Sequence, residues 1–399
     1  MGTAVPLWRP DHDTGIGIHA AANVYDGRWL GSSNAVRDRD FDLLWAMGVR
    51  HIKFVVAGDT GLEPVAAARK RGFNPIVRFW IKPPTLAVPP RNLIEQYANV
   101  GMIYAEGFTN EPELEWGRQP NTQTIEDLCV QYRSFADTCY LAKAIPITPA
   151  IQGDRFEKWF KPFIERMIAR NWKDALDGSV IGGHWRPGIM PPDSPPIDQS
   201  QGGVGFVFRS YEHWHDYLKS VGLGEQPMFG TEAGYEPGDV GRNYGIHADW
   251  NVQLAQMDWR PQLWCQCFWM LLPHPHWPLS NWILNSVGVE YHNIPGCLPV
   301  VERFVLMPKP DRTSAPIDYD NASVISAIEG VNRVVSDHLP LTKWAWREGY
   351  VPLSQVVTYH HKGVSYVARL VGKDDHTFVI CSPQNTAEKV HVVEYEVKL

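Results

Sequence analysis

The sequence predicts a (β/α)₈ barrel with a small C-terminal β-rich addition, on the basis of three observations. Between about residues 14 and 271, short apolar runs alternate with stretches of helical periodicity, and eight apolar runs can be counted. This alternation is typical of βαβ units, and eight strands fit a closed barrel better than an open sheet. The glycine motifs of nucleotide-binding folds are missing, since Gly15 and Gly17 lack a third glycine in register and no GxxxxGK[ST] occurs.

The first half of the barrel is predicted from four short apolar runs and the periodic stretches between them. The strands are Thr14–His19, His51–Val56, Asn74–Trp80 and Gly101–Phe108. The helices are Asp38–Met47, Gly61–Gly72 and Arg91–Ala98. The helix that closes at Gly72 ends as many helices do, because glycine readily adopts the left-handed conformation at a helix C-terminus.

The second half of the barrel follows the same rhythm with one long interruption. The strands are Ala144–Ile151, Ser179–His184, Gln226–Ala233 and Gln262–Leu271. The helices are Thr124–Ala142, Phe156–Asn171, Tyr211–Ser220 and Ile246–Met257. The interruption is Trp185–Phe208, which is rich in proline and glycine, and a loop of this length is usually a functional lid or an insertion.

The pattern loosens after residue 272. Residues 1–340 are predicted to form the barrel, with a proline-rich excursion at 273–316 and a further helix at Ala322–Val335. Residues 341–399 are predicted to form a small β-rich segment packed on the barrel. Its strands are expected at Gln355–His360, Val364–Leu370, His376–Cys381 and Lys389–Val397.

Composition narrows the classes of function. A net charge of −7 does not favour nucleic acid or an anionic membrane as a partner. The six cysteines are scattered without a CxxC pair, so buried free thiols are expected. No signal peptide or bilayer-length apolar stretch is visible, and the chain is predicted to be soluble, either cytoplasmic or secreted with its signal removed. No organic cofactor is implied, and the oligomeric state is left open.

Two glutamates carry the functional prediction. Glu111 follows the fourth predicted strand in the motif Asn110-Glu111-Pro112, and Glu232 ends the seventh in Gly-Thr-Glu-Ala-Gly. In a (β/α)₈ barrel the active site lies at the C-terminal ends of the strands, so both carboxylates are expected at one mouth. Cleavage of a glycosidic bond needs two carboxyl groups, one to protonate the leaving oxygen and one to attack the anomeric carbon or activate water.

These two motifs resemble the strand ends of the large clan of retaining (β/α)₈ glycoside hydrolases, which includes cellulases, mannanases, β-galactosidases, β-glucuronidases and xylosidases. The resemblance covers roughly residues 14–270. It implies that Glu111 is the general acid and base and that Glu232 is the nucleophile. It also implies that Asn110 binds the sugar 2-hydroxyl, that His184 lies near the nucleophile and that Trp269 stacks on the sugar.

The chain departs from the clan at one position. Many members carry an arginine after the second strand that supports the nucleophile, whereas the second strand here contains Lys53 and no arginine. Arg78 in the third strand is the alternative support. Trp80 and Tyr235 are further candidates for contact with substrate because they lie at predicted strand ends.

The reading is therefore a retaining β-glycosidase or endo-glycanase that acts on an oligosaccharide or polysaccharide. A general acid needs a pKa raised by burial or by a nearby negative charge, and the nucleophile needs to be ionised. Two alternatives stay open: a catalytically inactive carbohydrate-binding barrel, and a metal-dependent barrel hydrolase. The second is disfavoured because the pairs His213/His215 and His274/His276 lie away from the first strand and lack carboxylate partners in register.

Overall fold

The computed structural model describes residues 9, 12–20, 29–31, 34–81, 87–107, 110–195, 207–241, 243–269, 271, 282, 297–312, 351–361, 364–372 and 378–381. The chain divides into two compact units. The first comprises residues 1–41 and 48–316, and the second comprises residues 42–47 and 317–399. The predicted boundary after residue 340 lies outside the described residues.

The first unit is built on one sheet of nine parallel strands. The strands are β1 (Ile16–His19), β2 (His51–Val56), β3 (Asn74–Phe79), β4 (Tyr104–Glu106), β5 (Ile145–Ile147), β6 (Ile151–Gln152), β7 (Ile181–His184), β8 (Met228–Ala233) and β9 (Leu263–Phe268). Their order in the sheet is β5-β4-β3-β2-β1-β9-β8-β7-β6. Every described pair is parallel, so the C-terminal ends of all nine strands lie at one edge.

The two strands at the ends of this order come from one predicted strand. Between β5 and β6 the chain contains Pro149, which has no N–H to give to a ladder and interrupts the strand. The N–H of Thr148 donates to the carbonyl of Val180 at 2.9 Å, and Ile147 forms a parallel bridge with Val180. The sheet therefore curls back toward its own beginning, and the predicted α/β architecture is confirmed in a TIM-barrel-like form.

Helices separate the strands, as the periodicity predicts. They are α1 (Ala35–Ala46), α2 (Leu62–Lys70), α3 (Arg91–Val100), α4 (Pro112–Glu115), α5 (Thr122–Leu141), α6 (Lys161–Ala169), α7 (Lys173–Asp177), α8 (Ser210–Ser220), α9 (Tyr244–Gln256) and α10 (Cys297–Leu306). Helix α5 begins two residues before its predicted start because the side chain of Asn121 accepts a hydrogen bond from the N–H of Thr124 and caps it.

Two segments differ from the sequence-based expectation. The predicted helix Phe156–Asn171 begins with a π-helical turn at Phe156–Phe160 before α6. Pro162 explains the change, because proline cannot donate the α-helical hydrogen bond to Lys158. The proline-rich excursion at 273–316 was expected to be irregular, yet it contains α10, whose Val300, Val301 and Phe304 are buried on one face.

The interior of the sheet is packed with side chains. A buried apolar cluster contains Ile76, Tyr104, Ile145, Ile147, Val180, Phe229, Cys265 and Cys267. Cys129, Cys139, Cys265 and Cys267 are free and buried, as expected. Because this cluster fills the interior, polar chemistry is confined to the ends of the strands.

The second unit contains a three-stranded antiparallel sheet. Its strands are β10 (Val351–His361), β11 (Val364–Gly372) and β12 (Phe378–Cys381), in that order. They overlap three of the four predicted C-terminal strands in sequence, and a C-terminal addition packed on the barrel stays a prediction. The fourth, Lys389–Val397, and the predicted helix Ala322–Val335 lie outside the described residues. None of the helices among the described residues is long and apolar enough to cross a membrane.

Candidate active site

Glu111 is held at the C-terminal edge of the sheet by an unusual backbone conformation. It lies just before α4 with φ 44° and ψ 60°, in the left-handed region. Its N–H donates to the carbonyl of Ala150 at 2.7 Å, and Asn110 forms a parallel bridge to the same residue. A non-glycine residue in this region costs on the order of 1–3 kcal/mol, and such strain is typical of functional sites.

Glu232 is the fifth residue of β8 and is buried. The chain turns away two residues later at Gly234, whose φ of 80° favours glycine and where a Cβ would lie 2.5 Å from the ring of Phe268. This explains the glycine that follows the glutamate in the sequence motif. His19 Nε2 and Lys53 Nζ each lie 3.8 Å from Oε1 of the carboxylate. Burial lowers the pKa of His19 well below its ordinary value, so of these two groups Lys53 is the cation.

His184, the last residue of β7, connects the two glutamates. Its Nδ1 lies 2.7 Å from Glu111 Oε1 and 3.7 Å from Glu232 Oε2. One ligand atom from each of the three residues lies within 4.8 Å of the others, so the nearest carboxylate oxygens of Glu111 and Glu232 are at most that far apart. Retaining glycosidases place their carboxyl groups about 5–5.5 Å apart and inverting enzymes about 6.5–9.5 Å apart. The bound of 4.8 Å on the nearest oxygens lies below both ranges and closer to that of the retaining enzymes.

The electrostatics of Glu111 are dominated by His184. Burial raises the pKa of Glu111, but the charge and hydrogen bond of His184 outweigh it, with help from Gln152 and Arg186, and lower that pKa to about 2. The sequence-based expectation was a raised pKa. The difference has a physical reason, since the nearest partner of Glu111 is an imidazole and not a carboxylate.

The pKa of His184 moves in the complementary direction. Burial lowers it, but the negative charges of Glu232 and Glu111 more than compensate, and the pKa of His184 is raised. The two opposite shifts favour a proton on the imidazole side of the 2.7 Å contact between His184 Nδ1 and Glu111 Oε1.

Glu232 has the opposite shift from Glu111. Burial raises the pKa of Glu232, and the charge of Glu111 adds to the effect. The cationic groups of His184, Lys53 and Arg78 lower the pKa and offset part of that rise. The sequence-based expectation was an ionised nucleophile, so the shift of Glu232 also differs from it, because burial outweighs the cationic groups nearby.

A second acidic residue lies beside Glu111. The side chain of Gln152 donates to Glu111 Oε1 at 3.1 Å, while its backbone N–H donates to Glu113 Oε1 at 2.8 Å. Burial raises the pKa of Glu113 to about 7. Gln152 therefore ties the two glutamates of the Glu-Pro-Glu segment to the end of β6.

Three other residues predicted to contact substrate, Arg78, Asn110 and Trp80, differ in their partners and in their exposure. Arg78 is paired with Glu115 at 2.5 Å, and Asn110 Nδ2 donates to the same Glu115 oxygen at 3.2 Å. Asn110 Oδ1 is buried and accepts no hydrogen bond from the described residues. Trp80 follows β3 and has 41% of its surface exposed.

Trp269 and Tyr235 are less open than the sequence suggested. Trp269 is 8% exposed, its ring lies 4.6 Å from that of His19, and the guanidinium of Arg186 lies 5.7 Å from its ring centre. Tyr235 is fully buried, and its hydroxyl donates to the carbonyl of Met190 at 2.5 Å. Tyr235 therefore fastens the loop after β7 and does not present its hydroxyl to a substrate.

Several residues of the site were given no part in the chemistry by sequence reasoning, which considered Glu106 only as a structural ion-pair partner. Lys53 and Glu106 form a buried ion pair of 2.8 Å beside Glu232, and Arg186 pairs with Glu236 above Trp269. A signal was present, because a lysine in the apolar run His-Ile-Lys-Phe-Val-Val can be buried only with a counter-charge. Gln152 carried no signal, since its role depends on the interrupted fifth strand.

Two histidine pairs were considered as metal ligands, and the structure describes one of them. The side chains of that pair have other contacts. His213 packs on Phe156, and His215 Nε2 contacts the carbonyl of Gly224 at 2.9 Å while its Nδ1 contacts Arg260. The pair His274/His276 lies outside the described residues. Glu111, His184 and Glu232 present atoms close enough to surround a cation, but the hydrogen bond between His184 and Glu111 already accounts for their closeness.

Comparison with known proteins gives structural neighbours only. No protein family and no curated protein matches the sequence. The structure is similar to a mutant GH128 (subgroup I) endo-beta-1,3-glucanase from Amycolatopsis mediterranei in complex with laminaripentaose, with 13% identity and a TM-score of 0.42 over 74% of this chain and 100% of that chain. It is also similar to Saccharomyces cerevisiae Gas2p in complex with laminaripentaose, with 11% identity and a TM-score of 0.45 over 82% of this chain and 72% of that chain.

The function of the present chain is inferred from the geometry of its own residues.

Proposed function

We propose that this protein is a retaining glycoside hydrolase that cleaves β-glycosidic bonds by double displacement. The observation that carries the proposal is the pair Glu111 and Glu232 at the C-terminal edge of a parallel sheet, with carboxylate oxygens within 4.8 Å. This bound is closer to the carboxyl spacing of retaining enzymes, about 5–5.5 Å, than to that of inverting enzymes, and in the retaining mechanism one carboxylate attacks the sugar directly.

In the first step Glu232 attacks the anomeric carbon. A bond forms between Oε of Glu232 and that carbon, and the bond from the carbon to the leaving oxygen breaks. Glu111 gives a proton to the leaving oxygen, and this proton comes from the pair that Glu111 forms with His184. Asn110 Oδ1 is the acceptor available to a sugar hydroxyl, and Trp80 offers an exposed ring to an apolar sugar face.

In the second step a water molecule attacks the same carbon and releases Glu232. The bond between Glu232 and the sugar breaks, and the proton of the water returns to the Glu111–His184 pair. Esterification removes the negative charge of Glu232, which is one cause of the raised pKa of His184. The pair therefore holds a proton less tightly in the intermediate and is ready to act as a base.

The test is mechanism-based labelling combined with product analysis. A panel of nitrophenyl β-glycosides and polysaccharides, including laminaripentaose because both structural neighbours bind it, would first find a substrate. The matching 2-deoxy-2-fluoro glycoside should label Glu232, as read by peptide mass spectrometry, and NMR should show the retained anomer as first product. An inverted product would refute retention, and a label on Glu111 would exchange the two roles.

Substitutions separate this proposal from its alternatives. Activity that is lost in Glu232→Gln and Glu111→Gln and is unaffected by a chelator supports it. Wild type and both variants equally inert across the panel, with glycan binding intact, would indicate a carbohydrate-binding barrel. Activity that a chelator abolishes and that persists in Glu232→Gln would indicate metal-dependent hydrolysis.

A further inference from the structure

A third buried carboxylate lies behind the two glutamates of the site. Glu106 is the last residue of β4, and Lys53 is the third residue of β2. Lys53 has none of its surface exposed and Glu106 has 1%, and their charged groups are 2.8 Å apart. Lysine and glutamate are almost never so deeply buried unless they are paired, and a pure packing role would be filled better by apolar residues.

The pair reaches the nucleophile by a direct route. Lys53 Nζ lies 2.8 Å from Glu106 Oε2 and 3.8 Å from Glu232 Oε1. One ammonium group thus lies between two carboxylates that would otherwise repel each other. Lys53 occupies the strand on which the resembling clan carries its supporting arginine, and Glu106 supplies the counter-charge.

The pair reaches the acid by a second route through Thr231 and His184. Glu106 Oε1 accepts from the hydroxyl of Thr231 at 3.4 Å, and that hydroxyl lies 3.2 Å from His184 Nε2. At the far side of the ring, His184 Nδ1 lies 2.7 Å from Glu111. The chain Glu106–Thr231–His184–Glu111 therefore joins the buried ion pair to the acid of the proposed mechanism.

The direction of these hydrogen bonds is determined by which groups can donate a proton. A carboxylate paired with an ammonium group only accepts, so the hydroxyl proton of Thr231 points to Glu106. The oxygen of Thr231 can then only accept from His184, so Nε2 must carry a proton. With Nε2 protonated, the proton that His184 can release is the one on Nδ1, which faces Glu111.

We propose that Lys53 and Glu106 are positioning residues of the reaction. Through Thr231, Glu106 keeps the Nε2 proton on His184, so that the Nδ1 proton passes to Glu111 and on to the leaving oxygen, while Lys53 keeps Glu232 in place. This inference rests on the proposed roles of Glu111 and Glu232. In the transfer the N–H bond at Nδ1 breaks and an O–H bond forms on Glu111, so that a cationic imidazole becomes neutral and an anionic carboxylate becomes neutral.

Other charged groups also face the two reacting carboxylates, so the test must isolate the Glu106 route. The titratable groups near Glu232 or Glu111 on the neighbouring elements include His19, Lys53, Arg78, Glu106, Glu113, Asp154, His184 and Arg186. Thr231→Val cuts the route at an uncharged residue and leaves every one of these groups in place. Thr148→Val is the matched control, because Thr148 is a buried residue directly after β5 whose hydroxyl accepts a backbone N–H from Gly182 at 2.9 Å.

The first experiment reads the tautomer of His184 and needs no substrate. Protein with ¹⁵N-labelled histidine is titrated upward in pH, and long-range ¹H–¹⁵N spectra are assigned by comparison with His184→Gln. We expect the neutral ring of wild type and of Thr148→Val to keep its proton on Nε2. We expect Thr231→Val and Glu106→Gln to shift the proton to Nδ1, where it donates to ionised Glu111. A wild-type ring with its proton on Nδ1, or a tautomer unchanged in both variants, would overturn the proposal.

The second experiment separates positioning from a structural role. Thr231→Val should lower kcat by about 10-fold or more on a substrate whose leaving group needs a proton, within the range that general acid catalysis contributes, and leave KM nearly unchanged. On a dinitrophenyl glycoside, whose leaving group needs no proton, the rate of glycosylation should equal that of wild type. An equal loss on both substrates would show a structural role and overturn the proposal.

A third comparison covers Lys53. Lys53→Arg keeps the charge and should retain most of the activity. Lys53→Met should shift the acidic limb of the kcat/KM profile to higher pH, because Glu232 loses a cation 3.8 Å away. Equal profiles for the two variants would remove Lys53 from the proposal. If no substrate turns over at all, the proposed function fails while the tautomer spectra still decide the inference about Glu106.

Discussion

Two buried carboxylates on the same sheet have opposite electrostatics. Asp13, at the N-terminal edge, receives the backbone N–H of Gly15 at 2.8 Å, the guanidinium of Arg9 at 2.9 Å and His51 Nε2 at 2.9 Å. Burial raises the pKa of Asp13, but His51, Arg9 and Gly15 outweigh it and leave that pKa lowered. Glu232, at the C-terminal edge, has its nearest cations at 3.7–3.8 Å and a raised pKa.

The difference shows that burial alone does not determine how a carboxylate behaves. Close hydrogen bonds stabilise the ionised form of Asp13. The hydrogen-bonded group of Asp13, His51 and Asn74 at the N-terminal edge of the sheet therefore has a structural role. The cations around Glu232 are near enough to attract its charge but too far to form short hydrogen bonds. Asp13 thus has close hydrogen-bond donors and a lowered pKa, whereas Glu232 has a raised pKa. This contrast is expected if residues at the N-terminal edge of a barrel stabilise the fold and residues at the C-terminal edge carry the chemistry.

The largest expected effect is on the activity of Glu232→Gln. We expect kcat to fall by about four orders of magnitude or more, because the covalent step loses its nucleophile. The melting temperature should not fall, since the substitution removes a charge that burial disfavours. Kinetics on the best substrate of the panel and a thermal melt measure the two quantities. A variant that keeps activity, or that unfolds at a much lower temperature than wild type, would contradict this contrast.

Asp13→Asn should produce the reverse pattern. We expect the free energy of unfolding to fall by about 3 kcal/mol, which is the usual scale for breaking a buried pair, because Arg9 and His51 lose their counter-charge. The kcat of the folded fraction should stay that of wild type, since Asp13 lies at the opposite edge of the sheet. Denaturant unfolding and active-site titration measure these two effects. A loss of kcat without a loss of stability would place Asp13 in the catalytic machinery.

The pH dependence of stability should follow Asp13. Its pKa is lowered on folding from an ordinary value of 3.8, so its stabilisation is fully present above that value and is lost as the pH falls through the folded pKa. We therefore expect the stability difference between wild type and Asp13→Asn to be constant near neutrality and to shrink below about pH 4. Urea midpoints measured from pH 6 to pH 3 test this, and a difference that grows on acidification would contradict the assignment.

The sequence was sufficient for those parts of the molecule whose signal is local. The strands were visible because Ile16, Phe54 and Val77 lie in short apolar runs, and both glutamates were visible because each ends such a run. The interruption of the fifth strand at Pro149 and the π-helical turn before Pro162 depend on missing hydrogen-bond donors, and their structural consequences are not fixed by periodicity. For this reason Gln152 was not expected beside Glu111.

The electrostatic details were beyond sequence reasoning for a different reason. Motif resemblance placed His184 near the nucleophile, but its closest partner is Glu111, and that one contact reverses the expected pKa shift of the acid. Likewise Tyr235 lies at a strand end but is fully buried, and its hydroxyl donates a hydrogen bond to the carbonyl of Met190. Distances of one or two ångströms between side chains on different strands decide such effects, and spacing along the chain does not encode them.

The smallest expected effect comes from Trp80, which belongs to the same edge as Glu232 but is neither buried nor ionised. Its ring is 41% exposed next to the strand end that carries Arg78. If it stacks on a sugar, Trp80→Ala should raise KM by about 3- to 10-fold, the equivalent of an aromatic contact of about 1 kcal/mol, and leave both kcat and the melting temperature near those of wild type. Trp80→Phe is the matched control and should recover most of the affinity.

Substitution of Trp80 therefore tests whether some residues at the C-terminal edge bind the sugar and others carry the chemical step. Binding contacts that sit in solvent should change KM alone, whereas the buried carboxylates change kcat, because only the latter interact more strongly with the transition state than with the bound sugar. Substrate titrations of Trp80→Ala with a short and a long oligosaccharide give the comparison. A loss confined to the long oligosaccharide would place Trp80 at a subsite away from the cleaved bond, and a loss in kcat with KM unchanged would contradict a binding role.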